Sequence, residues 1–269
     1  MQESSKISIR DLHKSFGPKV VLDGVDLDIA PGESLAIIGG SGTGKSVLLK
    51  HIIGLLRPES GTVEVDGVAV ERLGNREITE FRRKFGMSFQ EGALFDSMTI
   101  WQNVAFPLQR LTKMSRREID ERVKECLDMV RLEGVEEKLP SQLSGGMRRR
   151  VGFARAISHR PEILLFDEPT TGLDPVTTAL IDEVIVDLND RLKTTTVTIT
   201  HDMESAFRIG DRIAMIHKGK IVASAPPAEF RHLEDPRVQQ FIHGRAEGPL
   251  SDDEPGTRTG PGQPATPDR

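Results

Sequence analysis

The sequence predicts an α/β fold carrying an antiparallel β subdomain near its start and a helical subdomain inserted in its middle. Three observations predict it. A short unbroken apolar run, "SLAIIG" (Ser34–Gly39), ends in glycines and leads into "KSVLLKHIIGLL" (Lys45–Leu56), whose apolar residues recur at helical spacing. Alternating apolar and polar positions precede that pair. A stretch of helical periodicity then separates it from further strand-like runs at "EILLFDE" (Glu162–Glu168), "TVTITH" (Thr196–His201) and "RIAMIHKGKIVAS" (Arg212–Ser224).

In chain order, Ile7 to Ile29 alternates around the turn signals "FGPK" and "DG", which reads as antiparallel strands. "GTVEVDGVAV" (Gly61–Val70) reads as a hairpin turning at Asp66-Gly67. In "SRREIDERVKECLDMVRL", Ile119, Val123, Cys126, Leu127 and Val130 fall three or four apart, on one face of a helix. Ser115 and Glu118 form a capping box at its start. The helical subdomain is therefore expected at about 99–158. From Gly244 onward the chain turns to Gly, Pro, Asp, Thr and Arg. Such a segment has too little apolar surface to bury and is expected to be disordered over 244–269, leaving 7–243 as the folded domain.

The bulk properties narrow the functional classes. A chain of 269 residues can bury a sizeable core. A formal net charge of -5 gives no general affinity for nucleic acid. The one cysteine, Cys126, rules out an internal disulfide and a cysteine-based metal cluster, and is expected only to pack in its helix. The start "MQESSKISIRDLHKSF" lacks the apolar stretch of a signal peptide. No window approaches the roughly 18 uninterrupted apolar residues of a membrane span. The expectation is a cytoplasmic chain.

The chemistry begins at "GGSGTGKS", which is Gly39, Gly40, Ser41, Gly42, Thr43, Gly44, Lys45 and Ser46. It matches G-x-x-x-x-G-K-[ST] between a strand and a helix, the context that a phosphate-binding P-loop requires. The glycines let successive N–H groups converge on phosphate oxygens, and the helix start adds favourable potential. Lys45 is expected to reach the β- and γ-phosphates and Ser46 to ligate Mg²⁺. "ILLFDE" then brings Asp167 and Glu168 to the end of an apolar strand. Asp167 can hold Mg²⁺, and Glu168 can polarise a water for in-line attack. An acidic strand end is common by itself; it gains meaning from the P-loop. No N-K-x-D segment occurs, which sets a guanine nucleotide aside.

A second glycine pair lies in "LPSQLSGGMRRRVGFARA" (Leu139–Ala156). Ser144 is a good N-cap, and Gly145 and Gly146 offer N–H groups at a helix start. With Gln90 in "MSFQEGALF" and His201 at the end of the next strand, the order of motifs over about Ile7 to Ala223 resembles the ABC-type ATPases. The resemblance implies a P-loop NTPase with a RecA-like core, whose two copies sandwich two ATP. Ser144, Gly145 and Gly146 of one copy would then meet the γ-phosphate held by Lys45 of the other. It further implies that Phe16 stacks on adenine, a place where many relatives use tyrosine and this chain has none. By the same resemblance Gln90 contacts Mg²⁺ or the attacking water and reports nucleotide state to a transmembrane partner. Glu168 becomes the catalytic base, His201 a γ-phosphate contact, and Asp174 in "TGLDP" an interface residue.

Met147 departs from the glutamine that most of those relatives carry. Methionine cannot make amide hydrogen bonds, which puts the strength of dimer closure in doubt but not the fold. "LSGGM" with its arginines, "FQEGALFDSMTIWQNVAFPL" (Phe89–Leu108) and "DPRVQQFIHGRAEGPL" (Asp235–Leu250) together resemble the Mla-type (MCE-associated, toluene-tolerance) phospholipid-transport ATPases. That resemblance implies a homodimer on the cytoplasmic face of the inner membrane. It also implies an integral membrane permease docking near Gln90, a periplasmic MCE lipid-binding protein, and a small STAS-domain protein. The C-terminal segment would reach across to the other copy, and Val238, Phe241 and Ile242 have suitable spacing; a short surface helix is the plainer reading.

Two other functions compete: an importer ATPase for a polar solute such as an amino acid, and a soluble ABC ATPase. The latter kind generally carries two cassettes or a coiled-coil insert, and neither occurs here. Arg148, Arg149 and Arg150 point in different directions around a helix. One is expected to face the nucleotide side and the others solvent.

Overall fold

In the computed structural model, residues 5–90 and 92–251 are described. Strands β1 (Ile7–Phe16) and β2 (Lys19–Ile29) pair antiparallel, with Ile7 opposite Ile29. Alternation interrupted by bulges, with register shifts between Ile9 and His13 and between Lys14 and Ser15, puts Ile7, Ile9, Leu12, Leu22, Val25 and Ile29 in the core. The unbroken apolar run is β3 (Ser34–Ile38), buried along its whole length, as a strand covered on both faces must be. Helix α1 (Lys45–Ile52) stops short of the expected Leu56, because Gly54 turns the chain at φ +67°. The hairpin of β4 (Ser60–Val65) and β5 (Val68–Ala69) turns where predicted, with Val65 opposite Val68. These strands form a sheet in the order β2-β1-β4-β5.

After α2 (Asn75–Arg82) comes β6 (Phe85–Ser88), a strand without a sequence signal, since four residues show no period. Helices α3 (Ile100–Leu111), α4 (Arg116–Met129) and α5 (Gly145–Ile157) follow. The Ser115–Glu118 capping box starts α4, and its predicted face of Ile119, Val123, Cys126 and Leu127 is buried together with Val130. Then come β7 (Ile163–Asp167), α6 (Pro175–Leu192), β8 (Thr195–Thr200) and α7 (Met203–Ile209). The chain closes with β9 (Arg212–His217), β10 (Lys220–Ala225), α8 (Pro227–Phe230) and α9 (Pro236–His243).

The second sheet has the order β10-β9-β3-β8-β7-β6. All its pairings are parallel except β10 with β9. It separates two cores. Leu35 and Ile37 face α1 and the antiparallel sheet, whereas Ala36 and Ile38 face the helical subdomain, α6 and α7.

The C-terminus corrects one expectation. Val238 is fully buried and, with the partly buried Phe241 and Ile242, packs on the chain's own helical-side core. Disorder was expected from Gly244, yet residues 244–251 turn back on α9. There Leu250 N–H donates to Gln240 Oε1 at 2.7 Å, and Gln240 Nε2 donates to Ser251 Oγ at 2.7 Å. The remainder of that segment, 252–269, lies outside the described residues. Among the described residues no helix is long and apolar enough to cross a membrane.

One buried acid makes the α6–α7 contact sensitive to pH. Asp182 accepts from Ser205 Oγ at 3.0 Å and Arg208 Nη1 at 3.2 Å. Burial nevertheless pushes its carboxyl up to about 6, against those two bonds and with help from Asp202. A folded-state value above the unfolded one gives stability that is complete below the unfolded value and lost as pH rises through about 6. Urea titrations should therefore show the protein losing stability relative to Asp182→Asn as pH rises, at a slope approaching about 1.4 kcal/mol per pH unit. Parallel curves would mean that Asp182 titrates alike in the folded and unfolded chain.

Candidate active site

β3, β8 and β7 lie side by side and parallel, so their ends deliver Gly39, His201 and Asp167-Glu168 to one edge of the sheet. A cleft of about 680 Å³ opens there. It brings together the predicted Phe16, Ser41, Gly42, Thr43, Gly44, Lys45, Ser46, Gln90, Glu168 and His201. Phe16 is half exposed at the rim, with Lys14 Nζ 5.4 Å from its ring centre.

The loop between β3 and α1 needs its glycines. Gly44 sits at φ +105°, and a Cβ there would lie 2.8 Å from both Val21 O and Leu22 Cδ2. Gly39 and Gly40 turn their carbonyls on Lys45, whose Nζ donates to them at 2.7 and 2.9 Å. The same Nζ lies 3.7 Å from Glu168 Oε1. Burial holds the Lys45 ammonium below the usual lysine range, although Glu168 and Asp167 pull the other way. Ser46 Oγ donates to Asp167 Oδ1 at 3.0 Å. Burial also pushes Asp167 above the usual carboxylate range, with Ser46 opposing and Glu168 adding to the shift.

Glu168 occupies the left-handed region at φ +51°, a strained place for a side chain with a Cβ. Three bonds hold it there. Its N–H donates to Ile199 O at 2.9 Å, and its Oε2 accepts from Thr171 Oγ1 at 3.0 Å and lies 2.6 Å from His201 Nδ1. Lys19, Val21 and Thr171 also line the cleft and were not predicted. Thr171 had a signal, a pair of hydroxyl residues just after Glu168 in "EPTTGLD". Lys19 and Val21 had none beyond their place after the "FGPK" turn.

Ser144, Gly145 and Gly146 do not line this cleft. Ser144 Oγ accepts Met147 N–H at 3.3 Å, the N-cap expected for α5. Gly146 presses on the start of α6, where an added Cβ would lie 2.5 Å from Thr177 Cγ2. Asp174 caps α6 by accepting from Val176 and Thr177 N–H at 3.0 Å.

One arginine was expected to face the nucleotide side and the others solvent; the second part is corrected, since Arg148 and Arg150 are partly buried and bonded to backbone. Arg148 Nη1 donates to Leu143 O at 2.6 Å, and Arg150 Nη1 donates to Arg131 O at 2.7 Å. Arg149 is buried, with Nε donating to Gln90 O at 2.8 Å and Nη2 donating to Thr171 O.

The sequence profile of the ABC transporter family matches residues 22–171 of this chain. The chain belongs to the ABC transporter family. It is 43% identical over 244 residues to the probable ribonucleotide transport ATP-binding protein mkl of Mycobacterium leprae, covering 91% of this chain and 70% of that protein. It is 39% identical to the intermembrane phospholipid transport system ATP-binding protein MlaF of Haemophilus influenzae, covering 91% and 92%. It is 48% identical to the methionine import ATP-binding protein MetN of Carboxydothermus hydrogenoformans, covering 82% and 66%. A solved dimeric ATP-binding cassette in a post-hydrolysis state with ADP and Pi superposes with a TM-score of 0.75 at 35% identity, covering 82% of this chain and 98% of that one. This ABC ATPase thus has the P-loop α/β fold expected from its sequence.

The contact at Gly44 gives a test that leaves every charged group in place. Gly44→Ala should weaken nucleotide binding by at least about tenfold, because backbone at Val21 must move to admit the methyl group. Equilibrium titration with a fluorescent ATP analogue measures it, and unchanged affinity would show that the loop relaxes freely.

Proposed function

We propose that this ABC ATPase hydrolyses ATP to drive phospholipid movement between membranes through a separate permease. One observation carries the lipid reading: 39% identity that runs over 92% of an intermembrane phospholipid transport ATPase. The "LSGGM" signature and the Phe89–Leu108 segment support it. The second reading, a polar-solute importer, has its own support in the 48% identity to a methionine import ATPase, although that match leaves about a third of the importer uncovered.

The residues of the cleft fit ATP with Mg²⁺. Lys45, fixed by two carbonyls, is set to meet the β- and γ-phosphates. Among the described residues no group of three or more His, Cys, Asp and Glu could hold a metal by itself. Ser46, Asp167 and Gln90 therefore suit an ion shared with phosphate oxygens, the usual habit of Mg²⁺. Bound there, the ion would neutralise charge on the transferred phosphoryl group. Glu168 acts as general base on the attacking water, with Thr171 and His201 holding its carboxylate in place. His201 also reaches the γ-phosphate, and Phe16 stacks on adenine.

Because Ser144, Gly145 and Gly146 lie outside this cleft, they serve the nucleotide of a second copy, and two ATP close a homodimer. The permease docks beside Gln90, where Phe89 and Phe95 are 41% and 42% exposed. The ATPase then sits on the cytoplasmic face of the inner membrane. A periplasmic MCE protein and a small STAS-domain protein complete the assembly.

Glu168→Gln should still bind ATP and accumulate as a dimer while turnover falls about 10²–10⁴-fold, the usual contribution of a general base. Normal hydrolysis in that variant would remove Glu168 from the role. Lys45→Ala should lose both activity and ATP affinity, read by turnover and by nucleotide titration; retained affinity would contradict the P-loop assignment. Purification of the native complex should bring down an MCE-system membrane protein, whereas an amino-acid permease would favour the importer.

A further inference from the structure

We infer that Arg149 is a positioning residue that makes the start of α5, the permease-side stretch at Gln90 and the Glu168 loop respond to nucleotide as one body. The inference rests on the roles proposed above for Gln90, Glu168 and the Ser144–Gly146 cradle. Its own support is geometric.

Residues 149, 152 and 155 follow one another at i, i+3 and i+6, a single row along α5. That row meets the backbone of the stretch after β6 at each step. Arg149 Nε donates to Gln90 O at 2.8 Å. Gly152 touches the chain so closely that an added Cβ would lie 2.9 Å from Gly92 Cα. Arg155 forks to Gly92 O at 2.7 Å and Ala93 O at 2.8 Å. Only Arg149 has a second reach, through Nη2 to Thr171 O. Thr171 in turn donates its hydroxyl to Glu168 Oε2. A continuous chain of hydrogen bonds therefore runs from the Gln90 carbonyl to the carboxylate beside Lys45.

The guanidinium is 7% exposed, and these two bonds go to carbonyl oxygens. Moving either loop alone would strip an acceptor from a desolvated cation, which is costly. The two loops are thus favoured together or displaced together, which is what coupling between sites means. Five residues before Arg149 on the same helix is Ser144, the cap of the proposed trans cradle. The planar fork is what permits two divergent bonds; a lysine ammonium on a flexible stem cannot reproduce that geometry.

Hydrogen exchange of the full chain in the Glu168→Gln background, with and without ATP, tests this. ATP should slow exchange at 41–46 and also at 92–95. Adding Arg149→Lys should keep the slowing at 41–46 and cut the ATP-dependent slowing at 92–95 about tenfold. A purely structural role would instead raise exchange at 92–95 equally with and without ATP, leaving the ratio as in the parent; that result overturns the inference. If Arg149→Lys does not fold, Thr171→Val decides in its place. It keeps the guanidinium but cuts the link to residue 168, so the same ratio should fall, and an unchanged ratio overturns the inference. Absence of any ATP effect at 41–46 would instead overturn the nucleotide-site reading, and the inference with it.

Discussion

Three strands, β7, β8 and β3, end at the same edge of the parallel sheet in matched register. Asp167 lies opposite Ile199, and Ile38 lies opposite Thr200. The next residues out, Glu168, His201 and Gly39, leave the sheet within one residue of each other, and the geometry of the cleft follows from that. The register cannot drift, because a slip by one residue would exchange the two buried faces of β3. Burial on both sides of one sheet thus fixes distances as short as the 2.6 Å between His201 and Glu168. It also explains how Glu168 is kept in a left-handed conformation, since its N–H bonds to the neighbouring strand at Ile199.

The charges at that edge are incompletely balanced by the protein itself. Burial lowers Lys45 and raises Asp167, although each has opposite charge nearby. A phosphate beside Lys45 and a cation beside Asp167 would reverse both directions, because each supplies the charge that desolvation penalises. With a phosphate bound, Lys45 Nζ could turn from Glu168, 3.7 Å away, while the Gly39 and Gly40 carbonyls continue to hold it. Freed from Lys45, the Glu168 carboxylate would keep its contacts with Thr171 and His201, as the proposed general base requires.

Much of this architecture was legible because its causes are local in the sequence. The P-loop, the buried strand before it, the Asp66-Gly67 turn and the caps at Ser115 and Ser144 each depend on side chains that announce themselves by type and spacing. What escaped depends on partners far along the chain. β6 exists because Gly86 lets it lie against α5, where a Cβ would come 2.3 Å from Ala156 O, and four residues cannot signal that. Val238, Phe241 and Ile242 show an apolar face, but periodicity does not say whether that face meets its own core or another copy. The arginines are the clearest case. Their acceptors are backbone carbonyls, which every residue carries, so no pattern in the sequence could name Gln90, Thr171 or Arg131 as partners.

The starts of α5 and α6 meet where Gly146 presses on Thr177, so two positive helix ends share one neighbourhood. They are capped differently. α6 has a carboxylate, Asp174, held below the usual range by the Thr177 hydroxyl and the Thr177 and Val176 N–H groups. It therefore stays charged and offsets its own helix dipole. α5 has the neutral Ser144 and no acidic residue in its first turn. Helix geometry leaves the Gly145 and Gly146 N–H groups without acceptors inside the helix. Among the described residues no acidic side chain caps α5, so its potential is open to an anion such as the proposed phosphate, while the potential at α6 is spent. Methionine at position 147 costs little under this arrangement. Its N–H is already taken by Ser144, and the proposed attraction for a phosphate would come from backbone and dipole rather than from the side chain.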